Sequence, residues 1–159
     1  MRKLTFVAVV LLGLVLLLPS FTSAQVTGMV GGKMGLGLFD GNAAFLIGPG
    51  GEIIFKKNLA VATELNIGTS TGTPVEWATY FKYLISISGT KIRPYADGGI
   101  SLAFWTGGPY FGLRFGGGAL IPIAKDLYAM GDMQLGPTFG GGSAGFFLSI
   151  TGGIRYEIR

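Results

Sequence analysis

The residues that carry out most enzymatic chemistry are scarce in this chain. Its 159 residues include no histidine and no cysteine. Nucleophilic mechanisms that need a histidine base, and disulfide bonds, are therefore excluded. Glu52, Glu64 and Asp132 are candidates for acid–base work or cation binding, because carboxylates suit both roles. Their spacing matches no metal-binding pattern, and ion pairing explains them more simply. We therefore predict no catalytic, cofactor-binding or metal-binding residue and expect that the chain is not an enzyme.

Neither phosphate nor nucleic acid is favoured as a ligand by the sequence. Gly140–Gly145 formally fits the pattern G-x-G-x-x-G, but that pattern indicates phosphate binding only between a strand and a helix of a βαβ unit. No such context surrounds it, so we predict a loop there. Beyond the first residues, Lys56 and Lys57 form the one adjacent basic pair. So sparse a distribution does not predict nucleic-acid binding.

The charged residues show a different pattern, an alternation with a period of two. In the segment around residue 80, Glu76 and Lys82 share one face, whereas Trp77, Phe81 and Tyr83 lie on the other. Every charged residue inside a predicted segment follows this rule, and the two signs nearly balance. We predict that these residues form a lumen charge network: Lys33, Glu52, Glu64, Glu76, Lys82, Arg93, Asp97, Arg114, Asp132, Arg155 and Glu157.

The elements that carry these charges are predicted to be eight strands. An alternation with a period of two is displayed only by extended chain. The segments are Val26–Leu38, Ala43–Phe55, Leu59–Gly68, Pro74–Ile87, Ile92–Phe104, Tyr110–Ile123, Leu127–Pro137 and Ala144–Ile158. An even number of antiparallel strands of about a dozen residues each is typical of small spanning barrels, since about nine to eleven residues cross a bilayer at a tilt.

Two architectures share this alternation, a soluble barrel with an apolar interior and a membrane barrel with a polar one. The apolar faces are bulky and nearly unbroken, and the balanced charges fit an enclosed space because buried ions must be paired. The charged face is also rich in glycine, which suits a narrow bore: Gly31, Gly35, Gly37, Gly48, Gly50, Gly99, Gly116 and Gly118. We predict an all-β fold, an eight-stranded antiparallel up-and-down transmembrane barrel with an apolar outside and a polar lumen.

The N-terminal region has the features of a secretory signal peptide. Arg2 and Lys3 precede the apolar run Leu4–Leu18, and small residues follow up to Ala24. The run is shorter than the about twenty residues of a spanning helix, which disfavours a membrane anchor. We predict a cleaved signal peptide over residues 1–24 and a barrel domain over residues 25–159.

The eight segments, together with P-Y-A-D-G-G-I at Pro94–Ile100 and G-G-I-R-Y-E-I at Gly152–Ile158, resemble the small bacterial outer-membrane barrels of the OmpA/OmpX-like superfamily. The resemblance covers the whole predicted mature chain. It implies an outer-membrane location among lipid, insertion by the barrel-assembly machinery and two periplasmic termini. We expect a monomer.

Three functions remain open from the sequence. The leading one is a non-enzymatic barrel with a structural or surface-interaction role, its lumen closed by a central plug of Glu52, Glu64, Lys82 and Arg114. The alternative is a narrow porin-like channel for ions or small solutes. A soluble secreted ligand-binding barrel is the third possibility.

Overall fold

The computed structural model describes residues 26–55, 58–69, 73–105 and 108–158. The predicted signal peptide lies outside the described residues. Within them, no helix is long and apolar enough to cross a membrane. The described chain forms eight strands: β1 (Thr27–Phe39), β2 (Asn42–Phe55), β3 (Leu59–Gly68), β4 (Val75–Leu84), β5 (Arg93–Trp105), β6 (Gly108–Ala124), β7 (Leu127–Gly140) and β8 (Ser143–Ile158). Each of the eight predicted segments thus contains a strand.

Two strand ends differ by three residues from the predicted segments. β7 continues to Gly140, beyond the predicted Pro137, because its last residues pair with the start of β8. The other difference is at the end of β4. The alternation predicts a strand as far as Ile87, but β4 ends at Leu84. The register explains this, because β3 begins opposite Tyr83 and the backbone N–H of Leu84 donates to the Asn58 carbonyl at 2.7 Å. Past that point β3 offers no partner, so the apolar residues up to Ile87 belong to the connection to β5.

The strands form a closed barrel in which every strand pairs antiparallel with its neighbour in sequence. The closing pair joins β1 to β8, from Gly28 opposite Ile158 to Phe39 opposite Phe147. Closure gives both terminal strands a partner on each side, which removes the unpaired edges of an open sheet. The predicted up-and-down, eight-stranded antiparallel barrel is confirmed.

The two faces of the barrel differ as the alternation predicts. Large apolar side chains point outward around the circumference, and Phe81, Leu36 and Ile150 are 70%, 66% and 62% exposed. Arg114 and Arg155 point inward and are both 0% exposed. The interior of an eight-stranded barrel has room only for side chains, so the inward-facing residues form a packed core.

Glycines on the inner face let the strands bend closely around this core. A Cβ atom at Gly99 would lie 2.0 Å from the Thr79 carbonyl oxygen, and one at Gly48 would lie 1.6 Å from that of Leu65. Only a residue without a side chain fits so near to a neighbouring backbone. Such glycine positions are a means of introducing the sharp curvature that a narrow barrel needs.

Two-residue turns join the first pair and the last pair of strands. Asp40 and Gly41 join β1 to β2 with φ angles of 49° and 82°, and Gly141 and Gly142 join β7 to β8 with 56° and 81°. Positive φ at both central positions matches the twist of antiparallel strands. The G-x-G-x-x-G stretch is therefore a tight hairpin turn with its flanking strand residues.

Candidate functional site in the barrel lumen

Among the described residues, the lumen holds four buried cations, and each is paired with a buried carboxylate. Lys33, Lys82, Arg114 and Arg155 are at most 4% exposed. They come from β1, β4, β6 and β8, so the pairs cross the bore and do not follow one strand. An unpaired ion in such a place costs several kcal/mol, and the pairing therefore links the barrel wall from the inside.

Glu64 is the centre of the largest group. Its Oε1 accepts a hydrogen bond from Nη2 of Arg155 at 2.6 Å, and its Oε2 accepts one from Nζ of Lys33. Arg155 also donates to the Gly50 carbonyl at 3.1 Å. Lys33 Nζ lies 3.7 Å from Asp132 Oδ1. Glu64 on β3 thus binds cations from β1 and β8, and these cations in turn contact Asp132 on β7 and Gly50 on β2.

A second pair, Lys82 with Glu52, lies beside this group. Nζ of Lys82 donates to Glu52 Oε2 at 3.1 Å, and the same ammonium lies 4.4 Å from the centre of the Tyr95 ring. A cation over an aromatic face is attracted by the ring quadrupole, more strongly where water is excluded. Lys82 thus has two favourable partners from β2 and β5.

Arg114 belongs to a third group, nearer the end opposite the termini. Its Nε donates to Glu76 Oε1 at 2.9 Å and its Nη2 contacts the same oxygen, while Asn66 donates to Glu76 Oε2 at 3.2 Å. The guanidinium also lies 4.1 Å from the centre of the Phe147 ring. Both oxygens of Glu76 are therefore occupied.

The predicted central plug of Glu52, Glu64, Lys82 and Arg114 is not one contact group. Lys82 does pair with Glu52, but Arg114 pairs with Glu76, and Glu64 is bound by Lys33 and Arg155. An alternation with a period of two tells which face a charge occupies, but not which opposite charge it reaches across the bore.

Asp97 and Asp132 share one amide donor. Gln134 Nε2 donates to Asp97 Oδ1 at 2.8 Å and to Asp132 Oδ2 at 3.1 Å, and the Tyr95 hydroxyl donates to Asp132 Oδ2 at 2.9 Å. Tyr95 and Gln134 were not predicted as members of the network. Their positions in the alternation would have identified them, because both occupy the charged face.

The last two predicted members lie near the end that carries the chain termini. Arg93 is the first residue of β5, and Glu157 lies next to the last residue of β8. Both are only partly buried, and Glu157 accepts a hydrogen bond from the Tyr128 hydroxyl at 3.0 Å. They are peripheral to the three central groups.

Apolar layers lie on either side of the charged layer. Towards the termini, Met29, Ile54, Leu84 and Leu120 belong to one buried cluster. At the opposite end, Phe39, Leu46 and Phe147 form another, with Trp105 packed against it. The ring centres of Phe39 and Phe147 are 4.8 Å apart. These layers were not predicted from the sequence, because their residues share the alternation of the charged face but not its polarity.

Each inward-facing carboxylate described above accepts a hydrogen bond from a side chain of the lumen. The described residues contain no group of three or more acidic side chains arranged to hold a metal ion. The buried cations pair with Glu52, Glu64 and Glu76, and Asp132 accepts from Tyr95 and Gln134. The arrangement is suited to cross-linking the wall and filling the bore.

Comparisons with known proteins identify the fold. A major outer membrane protein from Thermus thermophilus is similar with a TM-score of 0.69 at 13% identity, over 84% of this chain and 99% of that chain. The N-terminal β-barrel domain of Pseudomonas aeruginosa OprF is similar with a TM-score of 0.63 at 12% identity, over 86% of this chain and 100% of that domain. Ail of Yersinia pestis, in complex with the heparin analogue sucrose octasulfate, is similar with a TM-score of 0.55 at 10% identity, over 86% of this chain and 100% of that chain.

By sequence, the chain matches no protein-family model and no curated protein. At identities this low the structural likeness establishes the fold alone. The fold is that of the small eight-stranded outer-membrane β-barrels.

Proposed function

We propose that the chain is an integral outer-membrane barrel with a structural or surface-interaction role and a closed lumen. The observation that carries this proposal is the inversion of the molecule, with exposed apolar side chains outside and buried ion pairs inside. A soluble barrel with the same alternation would place its charges in water. Arg114 and Arg155, each 0% exposed while Phe81 is 70% exposed, contradict that arrangement.

The polar groups on the outer face are consistent with lipid as the surroundings. Trp77 Nε1 donates to Thr63 Oγ1 at 2.7 Å, and the Thr63 hydroxyl in turn donates to the Ala78 carbonyl oxygen at 3.3 Å. In a bilayer, polar groups must find partners within the protein. The outward-facing indole N–H and threonine hydroxyl therefore both have hydrogen-bonding partners within the protein and need no water.

A closed lumen is supported by the order in which charged and apolar layers follow one another along the barrel axis. The three ion-pair groups fill the middle of the bore, and a buried apolar cluster lies on either side of them. A solute would have to separate buried ions and also pass apolar side chains. Both steps are costly, since separating a buried pair leaves an uncompensated charge.

The remaining features of the proposal follow from the resemblance of the sequence. We propose that residues 1–24 are cleaved after export, that the barrel-assembly machinery inserts the mature chain, and that both termini are periplasmic. No enzymatic activity is proposed. The binding of a sulfated sugar by Ail is not carried over, because no lysine or arginine is among the described residues that line the cavity at the end opposite the termini.

Membrane fractionation tests the location, and gel mobility tests the barrel. Expressed with its leader in a Gram-negative host, the chain should sediment with outer membranes and require detergent for extraction. Unboiled samples should migrate differently from boiled ones on a denaturing gel, because the closed barrel resists the detergent. Recovery in the periplasmic fraction without detergent would instead identify a soluble barrel and refute the proposal.

A narrow channel is the second candidate, and one observation favours it. Several buried polar atoms of the described lumen lack a hydrogen-bonding partner, among them Glu52 Oε1, Ser101 Oγ and Thr151 Oγ1. Buried polar atoms of this kind are often satisfied by water, and a hydrated bore could carry ions. Recording the ionic current across planar bilayers separates the two candidates. Absence of current, with insertion of the protein verified, supports the closed lumen, whereas steady conductance supports the channel.

A further inference from the structure

A cavity opens at the end of the barrel opposite the chain termini. Its volume is about 270 Å³, slightly below the about 300 Å³ at which pockets for drug-sized ligands begin. It is lined by Asp40 of the first hairpin turn, by Pro74 before β4 and by residues near the ends of β1, β2, β5, β6, β7 and β8. The aromatic layer of Phe39 and Phe147 separates it from Arg114 and the charged lumen. The cavity is therefore distinct from the ion-pair network, and it suits a ligand of only a few heavy atoms.

Three aromatic residues are among those that line the cavity. Phe39 is buried at the base and packs edge-on against Trp105, with ring centres 5.6 Å apart. Trp105 and Tyr110 both line the cavity and are partly exposed. Tryptophan and tyrosine faces attract cations, and groups of such rings are the usual means of recognising quaternary ammonium ions.

One carboxylate accompanies the rings. Asp40 is held in the first hairpin turn, where its backbone N–H donates to the Phe146 carbonyl at 2.8 Å. Its side chain lies above Gly145, since a Cβ atom there would be 3.3 Å from Asp40 Cγ and 2.9 Å from Thr138 Oγ1. The absence of a side chain at Gly145 thus makes room for the Asp40 carboxyl group and the Thr138 hydroxyl at the cavity wall.

The electrostatic balance of the cavity is negative. Among the described residues that line it, Asp40 is the one that carries a charge, and none is a lysine or arginine. None of the ion pairs of the described chain involves Asp40. An unpaired carboxylate beside aromatic faces favours a cation over an anion or a neutral sugar, although hydroxyl groups are also present.

We propose that this cavity binds a small quaternary ammonium compound, with Trp105 and Tyr110 against its methyl groups and Asp40 balancing its charge. A phosphocholine group fits less well, because its phosphate would approach Asp40 with no basic residue to receive it. The ligand is therefore a free quaternary ammonium compound of the size of choline, not a lipid headgroup.

The test measures binding through the fluorescence of Trp105. The chain has two tryptophans, so a Trp77→Phe background leaves Trp105 as the single reporter. The folded barrel is kept in a polyoxyethylene detergent, which carries neither ammonium nor sugar groups. Choline should produce a saturable change, and 3,3-dimethylbutan-1-ol, its uncharged analogue of the same shape, should bind about tenfold more weakly or not at all.

Phosphocholine and methyl glucoside complete the set of ligands. Weaker binding of phosphocholine than of choline supports a free ammonium ligand. Equal binding of choline and its uncharged analogue, stronger binding of phosphocholine, binding of the glucoside alone, or no change with any ligand would each overturn the proposal.

A pair of matched variants tests the role of the carboxylate. Asp40→Asn should weaken choline binding about tenfold, because the cation loses its counter-charge in a partly desolvated site. Asp126→Asn is the control, since Asp126 also occupies a hairpin turn at positive φ, 60° against 49°, at the other end of the barrel. Asparagine tolerates this backbone conformation. Both variants must show the gel mobility of a folded barrel, and equal choline affinity in the two would refute the role of Asp40.

Discussion

Arg114 is the side chain for which pairing in the lumen has the clearest consequence for stability. The Arg114→Met variant would leave Glu76 as a buried carboxylate with Asn66 as its remaining hydrogen-bonding partner. Removing one partner of a buried ion pair lowers the free energy of unfolding by about 3–5 kcal/mol, whereas replacing both partners with apolar residues often changes it little. We therefore expect a large loss in the free energy of unfolding for the single variant and substantial recovery in Arg114→Met/Glu76→Met.

Urea unfolding in lipid vesicles, followed by tryptophan fluorescence, measures both values. Lys91→Met serves as the control, because Lys91 is exposed in the connection between β4 and β5. Its effect should stay within about 0.5 kcal/mol. If the double variant were as unstable as the single one, the stabilising role of Arg114 would lie in contacts other than its pair with Glu76.

On the outer face, in contrast to the lumen, an arginine is expected to destabilise the barrel. Ile150 lies near the middle of β8 and is 62% exposed, whereas Ile158 ends that strand and is 50% exposed. If lipid surrounds the barrel, Ile150→Arg should cost about 2–4 kcal/mol and Ile158→Arg about 0–1 kcal/mol, because the penalty depends on depth. The same unfolding measurement in vesicles compares them. Equal effects at the two depths would argue against a spanning orientation.

At the scale of the strands, the inner glycines are predicted to control folding. Gly99→Ala would bring a Cβ atom to 2.0 Å from the Thr79 carbonyl oxygen, so β4 and β5 would have to separate. Gly131 is the matched control, because a Cβ atom there meets nothing within 4 Å. Overpacking of this kind costs about 1–3 kcal/mol. We expect a lower yield of the heat-shifted gel band for Gly99→Ala and an unchanged yield for Gly131→Ala.

Strand boundaries show what the alternation predicts and where it stops. It predicted all eight strands, and it predicts a shared face for the charged residues within them, because side-chain direction is a local property of extended chain. It extended β4 to Ile87, although the strand ends at Leu84. The apolar alternation continues past that residue, but pairing with β3 does not, and pairing depends on register across the sheet.

For the whole molecule, the contacts across the lumen are the part that the sequence does not reveal. The alternation puts Arg114 and Glu64 on one face of their strands, and both are buried in the lumen, yet they belong to different groups, since Arg114 binds Glu76. Which residues meet depends on strand tilt, stagger and rotamer, which are properties of the closed barrel. The aromatic cavity was missed for the same reason, because its rings come from β1, β5 and β6 and share no local motif.

Closure itself can be tested by a cross-link between the first and last strands. Val30 and Tyr156 are directly opposite across the β1–β8 pair and both point outward, and the chain has no cysteine of its own. Val30→Cys/Tyr156→Cys should therefore form a disulfide on oxidation of the folded protein, since directly opposite residues lie within its reach. The bond would enclose most of the barrel in one loop, for which chain entropy predicts about 4–5 kcal/mol of stabilisation.

The control for this cross-link uses a cysteine one strand further away. Met133 also faces outward, but it lies on β7, so Val30→Cys/Met133→Cys places the thiols at least about 9–10 Å apart across the sheet. That distance exceeds the reach of a disulfide. The β1–β8 cross-link should alter the mobility of the boiled protein, and reduction should restore it. Because β1 and β8 meet only if the sheet closes on itself, failure of this pair in heat-shifted, folded protein, or equal efficiency of the control pair, would contradict the closed barrel.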